Sequence, residues 1–258
     1  MKILITGAKG FIGRNLIEAL GNKNNPEFLQ YDKGSDPQTL QHYTRLCDFV
    51  FHFAAVHRPA DGSEFGKINH LFFSDILELL RSNNNNCPVL LPSSIQAGDD
   101  SLYGKSKLAA EQALKAHADL MNSRAIIYRL TNTFGKYAEP NHHSVVATFC
   151  YNIARGLPIV ISDPNHIMNF YYIDDVTDSF IAQIKSYIEP DPDGFYRLPE
   201  KLKYTITLKE LADNIYKFKY CFDKGTVPGC SDQFTVKLYK TYLSYHLDCE
   251  ANEGALKE

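Results

Sequence analysis

Tryptophan is absent from this chain of 258 residues, methionine occurs only three times, and neither sign of charge dominates, the formal net charge being −3. Without net positive charge there is no broad electrostatic reason to expect nucleic acid as a partner. The six cysteines, at 47, 87, 150, 221, 230 and 249, never form a C-x-x-C pair. Neither a zinc site nor a thioredoxin-like redox motif is spelled out, so no metal is expected and the thiols should be reduced and mostly buried. No apolar run approaches the length of a membrane span, and the opening run from Ile3 to Ile5 meets Gly7 too soon for a signal peptide. The expectation is a cytoplasmic protein with no membrane partner. Hydrophobic residues make up 44% and charged residues 22%, enough for a dinucleotide-sized α/β core with a smaller domain attached.

Segments 2–6, 27–32, 48–55, 88–93 and 125–131 are short apolar or aromatic runs of strand length, and helix-like stretches at 11–21, 37–46, 64–82 and 103–122 lie between them. That alternation predicts a Rossmann-like, doubly wound parallel sheet over residues 1–135, with part of 160–200 returning to it. From 136 to 258 the rhythm loosens into a smaller C-terminal substrate-binding lobe. In that lobe we expect a helix over 145–155, strands at PIVIS (158–162) and NFYYI (169–173), and a helix from about Asp175 to Tyr187 capped by Asp174-Asp175. Thr207 and Glu210 stand at capping-box spacing and start another helix.

The first strand runs straight into Gly7-Ala8-Lys9-Gly10-Phe11-Ile12-Gly13, a G-x-x-G-x-x-G loop opening a helix. A strand before and a helix after are the context in which such glycines allow a tight turn, close approach of a pyrophosphate and close helix-on-strand packing. Asp32 and Lys33 end the second strand and pull in opposite directions, a carboxylate suiting ribose hydroxyls and a cation suiting a 2′-phosphate. With Lys9 in the loop and Arg14 just beyond it, NADPH is favoured over NADH, although each of these cations has a plain alternative as a solvated surface charge.

Tyr103 and Lys107 form a Y-x-x-x-K unit on one face of a helix start. A fixed ammonium nearby lowers the pKa of a phenol, making it a usable general acid or base. Ser93 and Ser94 end the fourth strand at the carboxyl edge, where open α/β sheets place ligands, and Ser94 is favoured for hydrogen-bonding a substrate oxygen. Asn69 lies polar within an otherwise apolar helical stretch, with a loop-facing amide as its plain alternative.

The glycines, the FHFAA run at 51–55, Asn69, Ser93-Ser94, Tyr103/Lys107, RLTNTFG at 129–135 and FYYIDD at 170–175 occur together and in order. The set resembles the extended short-chain dehydrogenase/reductase family along nearly the whole chain. ITGAKGFIGRNL, SSIQAGDDSLYGKSK and NHHSVVATFCYNIARG resemble more closely the reductase domain of CapF/WbjC-type enzymes of bacterial surface-polysaccharide synthesis. The resemblance implies an NADPH-dependent oxidoreductase that reduces the 4-keto group of a UDP-linked 6-deoxy-N-acetylhexosamine. It implies Tyr103, Lys107, Ser94 and Asn69 as the catalytic set, and Phe53, Ala54, Ala55 and Leu130 beside the cofactor. Substrate contacts are expected from Ser93, Ser94, Asn132, His142 and Ser144 between the lobes; Met168-Asn169 stands where the family has Arg-Asp, so that phosphate contact is either missing or supplied elsewhere, with Arg58 as the candidate. His142 and His143 carry a plainer reading as exposed loop residues. A homodimer is implied; the chain stops at Glu258, where the cupin epimerase domain of those enzymes would begin, and the resemblance leaves open whether that cupin is a separate polypeptide partner or is lacking in a shortened homologue. Ile95-Gln96 replaces the Asp-Glu of sugar dehydratases, which disfavours dehydration. The alternatives are a nucleotide-sugar epimerase of the same fold and a non-catalytic NAD(P)-binding regulatory protein.

Overall fold

The computed structural model describes residues 1–21, 26–56, 61, 65–142, 144–230 and 232–254. They fall into two compact units, one comprising Met1–Thr131 with Val176–Leu198, the other Asn132–Asp175 with the chain from Pro199 onward.

The first unit is built on five strands, β1 (Lys2–Thr6), β2 (Glu27–Tyr31), β3 (Phe49–His52), β4 (Val89–Ser94) and β5 (Ala125–Leu130). All pair in parallel in the order β2-β1-β3-β4-β5, so the predicted doubly wound parallel sheet is present. The strand order reverses between β1 and β3, and the crevice beyond their carboxyl ends is where such sheets bind ligands. Every residue of β3 and β4 is buried, which is why they read as unbroken apolar runs rather than as alternation, whereas the edge strand β2 is exposed at Glu27 and Gln30. Tyr196, from the returning segment, bridges in parallel to Tyr128 on β5.

Helices α1 (Phe11–Gly21), α2 (Pro37–Leu46), α3 (Phe72–Ser82) and α4 (Leu102–Met121) connect the strands. Asp36 caps α2 through the Gln38 N–H, with Pro37 preset for the first turn. Ser101 caps α4 through the Gly104 N–H, and Asn122 ends it in the left-handed region at φ 48°.

Two boundaries differ from the sequence expectation. The helix expected over 64–82 is a π-helical turn at Phe65–Leu71 followed by α3. The wider turn sets Asn69 inward at 3% exposure, while Phe73, Ile76, Leu77 and Leu80 keep the apolar stripe of α3 in the core. The strand expected over 48–55 ends at His52; after the Phe53 N–H bonds the Thr6 carbonyl at 2.9 Å, the chain leaves the ladder.

In the second unit, β6 (Asn132–Phe134) pairs in parallel with β7 (Ile167–Tyr172), which pairs antiparallel with β8 (Tyr204–Thr207). Helices α5 (Val145–Ala154), α7 (Leu208–Asp223) and α8 (Gln233–Gly254) accompany them, and the boundary between units falls inside α6 (Ile173–Lys185). The Thr207/Glu210 capping box is present in full at the start of α7. PIVIS is not a strand: it pairs with nothing, and Val160 is 87% exposed. Nor do Asp174 and Asp175 stand ahead of α6 as caps. They lie inside its first turn, where negative charge still suits the helix dipole, and Asp175 accepts from the Lys237 ammonium at 2.7 and 2.9 Å.

Candidate active site

Gly7 follows β1 with φ +68°, its N–H bonded to the Tyr31 carbonyl at 2.9 Å. A Cβ there would sit 2.7 Å from the Ala54 nitrogen, and one on Gly13 would sit 2.4 Å from the Gly7 carbonyl oxygen, so both positions exclude any side chain. A Cβ on Gly10 would meet only the Gly7 oxygen, at 3.2 Å, which leaves its outward side open. The first turn of α1 holds no acidic residue, so the positive end of its dipole is not neutralised within the helix. This bare-backbone cradle fits a dinucleotide pyrophosphate. Phe11 and Ile12 are half-buried in the same turn. The Asp32 carboxylate accepts from the Lys9 N–H at 3.1 and 3.3 Å, tying the loop to the end of β2, while Lys9, Arg14 and Lys33 are exposed.

Phe53, Ala54 and Ala55 are half-buried just past β3, with Phe53 stacked on Phe180 at 6.0 Å. Leu130 is buried at the end of β5, and its carbonyl accepts from the Ile95 N–H at 3.1 Å.

Ser94, Tyr103 and Lys107 come together at the carboxyl end of β4. Successive strand residues face opposite ways, so the two serines are not equivalent. Ser94 hydrogen-bonds Tyr103, and its Oγ accepts from the Gln96 N–H at 3.1 Å. Ser93 Oγ is buried with no hydrogen-bond partner among the described residues. Gly104 allows the loop before α4 to close on the helix, since a Cβ there would stand 2.4 Å from the Gln96 carbonyl oxygen. Lys107 is 6% exposed, its ammonium donating to the Pro92 carbonyl at 3.2 Å and lying 5.9 Å from the Tyr103 ring centroid.

The electrostatics correct the sequence expectation that Lys107 lowers the Tyr103 pKa. Burial raises it, the Ser94 hydrogen bond only partly opposing this, and the Asp99 carboxylate adds to the rise. Burial also pulls Lys107 down to about 8 against the opposing field of Glu111. His52, at the end of β3, is pressed down to about 3 by burial and by the Lys107 charge. It is therefore a neutral imidazole at neutral pH, and its Nδ1 shares a hydrogen bond with Thr6 Oγ1 at 2.8 Å.

Asn69 serves as a clamp. Its amide oxygen accepts from the Val56 N–H at 2.8 Å, and its amide nitrogen donates to the Val56 carbonyl at 3.0 Å and to Ser106 Oγ at 3.2 Å. Ser106 in turn donates to the Tyr103 carbonyl at 2.7 Å. The clamp thus fixes the segment after β3 to the helix carrying Tyr103.

The expected substrate contacts Asn132, His142 and Ser144 belong to the second unit. Asn132 donates to the Asn169 carbonyl at 3.2 Å, His142 Nδ1 lies 3.6 Å from the Glu139 carboxylate, and Ser144 Oγ caps α5 through the Ala147 N–H. Arg58 and His143 lie outside the described residues. Among the described residues, no group of three or more His, Cys, Asp or Glu is placed to hold a metal ion, and no helix is long and apolar enough to cross a membrane. Sequence reasoning missed His52, Ser106 and the ion pair of Glu111 with Arg129; only Glu111, four residues beyond Lys107, had a visible signal in its spacing.

Comparison with known proteins gives a consistent picture. Residues 3–196 match the NAD dependent epimerase/dehydratase family. The chain is 37% identical over 245 residues to the UDP-2-acetamido-2,6-beta-L-arabino-hexul-4-ose reductase of Pseudomonas aeruginosa, across 95% of this chain and 65% of that protein. The capsular polysaccharide assembling protein CapF from Staphylococcus aureus superposes with a TM-score of 0.83 at 34% identity, again over 95% of this chain and 65% of the other. The chain therefore spans just under two thirds of the length of these relatives. A UDP-glucose 4-epimerase from Thermotoga maritima, 19% identical, shares the fold with a TM-score of 0.78 over 96% of this chain and 100% of that one.

Proposed function

Since the chain belongs to the NAD dependent epimerase/dehydratase family, we propose that it is an NADPH-dependent reductase of the 4-keto group of a UDP-linked 6-deoxy-N-acetylhexosamine, serving surface-polysaccharide precursor synthesis. The observation that carries this reading is the Ser94–Tyr103 hydrogen bond with a buried Lys107 one turn behind it, beside the glycine cradle of the same unit. A protein that only binds a dinucleotide needs the cradle and not this set. The substrate class follows from the reductase 37% identical to this chain.

When bound, the cofactor supplies the hydride. The chain's residues do the rest. Gly7, Gly10 and Gly13, with the α1 N-terminus at Phe11 and Ile12, hold the pyrophosphate, and Phe53, Ala54, Ala55 and Leu130 line the remainder. Asp32 anchors the loop, while the exposed cations Lys9, Arg14 and Lys33 favour the 2′-phosphate of NADPH. Ser94 orients the carbonyl and Tyr103 donates the proton to its oxygen. Burial keeps the phenol protonated, the state a reduction requires of it. Lys107 would hold the cofactor's ribose and contributes positive charge below about pH 8. Asn69 acts through Ser106 to fix Tyr103. Asn132, His142, Ser144 and Ser93 are the proposed sugar-nucleotide contacts, with Arg58 a further one. We assign the enzyme to the cytoplasm, as a homodimer.

The test is a panel of UDP-4-keto sugars incubated with purified protein and NADPH while the absorbance of the reduced nicotinamide is followed. Consumption in proportion to substrate supports a reductase. Sugar conversion without net consumption identifies an epimerase, and binding without conversion a regulatory protein.

A further inference from the structure

Beneath the Tyr103–Lys107 pair lies a buried carboxylate, gripped by a half-buried guanidinium, that the proposed chemistry leaves unused. Glu111 is 1% exposed and follows Lys107 by one turn on the same face of α4. Arg129 on β5 grips both of its oxygens, Nε to Oε1 at 3.0 Å and Nη2 to Oε2 at 2.7 Å. The guanidinium lies 3.8 Å from the centroid of the Phe195 ring, and that ring also carries the Lys115 ammonium at 4.1 Å. Held in this fork, the carboxylate has a fixed place and direction. Burying the Glu111 carboxylate is costly even with a half-buried guanidinium beside it, and an apolar residue of similar size is often no worse for stability, so stability alone is a poor reason for it.

Lys107 supplies a better reason. An ammonium at this depth loses its proton readily unless an anion opposes the effect of burial. The charged and titratable groups around it are Glu111 and Tyr103 on its own helix, Arg129 on β5 behind Glu111, and His52 on β3; β4 presents the Pro92 carbonyl and the π-helical turn the neutral Asn69. Glu111 brings the negative charge that favours the ammonium. We propose that the Glu111–Arg129 pair is a positioning device for the charge of Lys107: the buried carboxylate, locked by the guanidinium one helical turn from the ammonium, keeps Lys107 protonated through the neutral pH range. Glu111 is a positioning residue, acting only through Lys107, and the idea rests on Lys107 being part of the active set.

Its first and deciding test needs neither cofactor nor turnover. In full-length protein carrying 13C-labelled lysine, the Lys107 resonance is identified by its loss in Lys107→Met and titrated in the wild type, in Glu111→Gln and in Glu111→Gln/Arg129→Gln. The double variant replaces the ion pair by an amide pair and decides the matter if the single variant fails to fold. The Lys107 midpoint should fall by roughly one pH unit in Glu111→Gln and by less, in the same direction, in the double variant, where a repelling cation is removed as well. An unmoved midpoint in the folded variants overturns the proposal. The alkaline limb of kcat, measured on the same proteins, should move with the midpoint. A midpoint that falls while the limb stays would uphold the hold of Glu111 on Lys107 and overturn instead the catalytic reading of Lys107.

Discussion

Burial acts in opposite senses on the two residues at the centre of the site: it raises the Tyr103 pKa and keeps a proton on the phenol, and it lowers the Lys107 pKa and tends to take a proton away. Tyr103→Phe removes the proton donor and leaves the glycine cradle untouched, so it should bind NADPH with wild-type affinity while kcat drops by about 10²- to 10⁴-fold; titration of cofactor fluorescence beside steady-state kinetics measures both. Lys107 carries a stability cost. Its lysine titrates at 10.5 when unfolded and at about 8 when folded, so between these values the unfolded chain binds the extra proton. The penalty is therefore present in full below about pH 8 and relieved as pH rises toward 10.5. Denaturant unfolding of Lys107→Met should show a gain of about 1–3 kcal/mol near neutral pH, shrinking toward pH 10, together with lost turnover; a gain constant across that range would refute a buried, charged Lys107. The spacing of Ser94, Tyr103 and Lys107 was legible in the sequence because one strand end and one helix turn bring them together. Glu111 with Arg129, and Asn69 with Val56, were not legible as pairs, since each joins different elements and no local period registers it.

At the scale of elements, the loops around the sheet's carboxyl edge depend on glycines whose hydrogen faces backbone. Gly13→Ala would push a methyl into the Gly7 and Ala8 carbonyl oxygens, at 2.4 and 2.7 Å. We expect it to cost about 1–3 kcal/mol in thermal unfolding and to weaken cofactor binding more than tenfold. Gly104→Ala meets the Gln96 carbonyl oxygen at 2.4 Å and should open the loop before α4, lowering kcat while leaving cofactor affinity near wild type. The regular elements were readable where one physical rule dominates: unbroken apolar runs for β3 and β4, a capping box for α7. Where tertiary context decides, reading failed. PIVIS has strand composition and no neighbour to pair with, and the π-helical turn follows from Asn69 reaching Val56 and Ser106, which no helical period announces.

Across the whole molecule, the first unit holds the proposed cofactor cradle and the Ser94, Tyr103 and Lys107 set, and the second holds Asn132, His142 and Ser144. Ligand that binds only the folded chain raises its unfolding temperature by mass action. NADPH should therefore raise it more than NADH at equal concentration, and equal shifts would remove the case for Lys9, Arg14 and Lys33 as 2′-phosphate contacts. The central claim is that this chain delivers a hydride to the C4 carbonyl of a UDP-4-keto sugar with Tyr103 as proton donor. Its most direct measurement is the mass and NMR spectrum of sugar formed with NADPH deuterated at the transferring position. The wild-type product should carry one deuterium at C4, and Tyr103→Phe should form almost no product; sugar converted without label at C4 would rule this chemistry out.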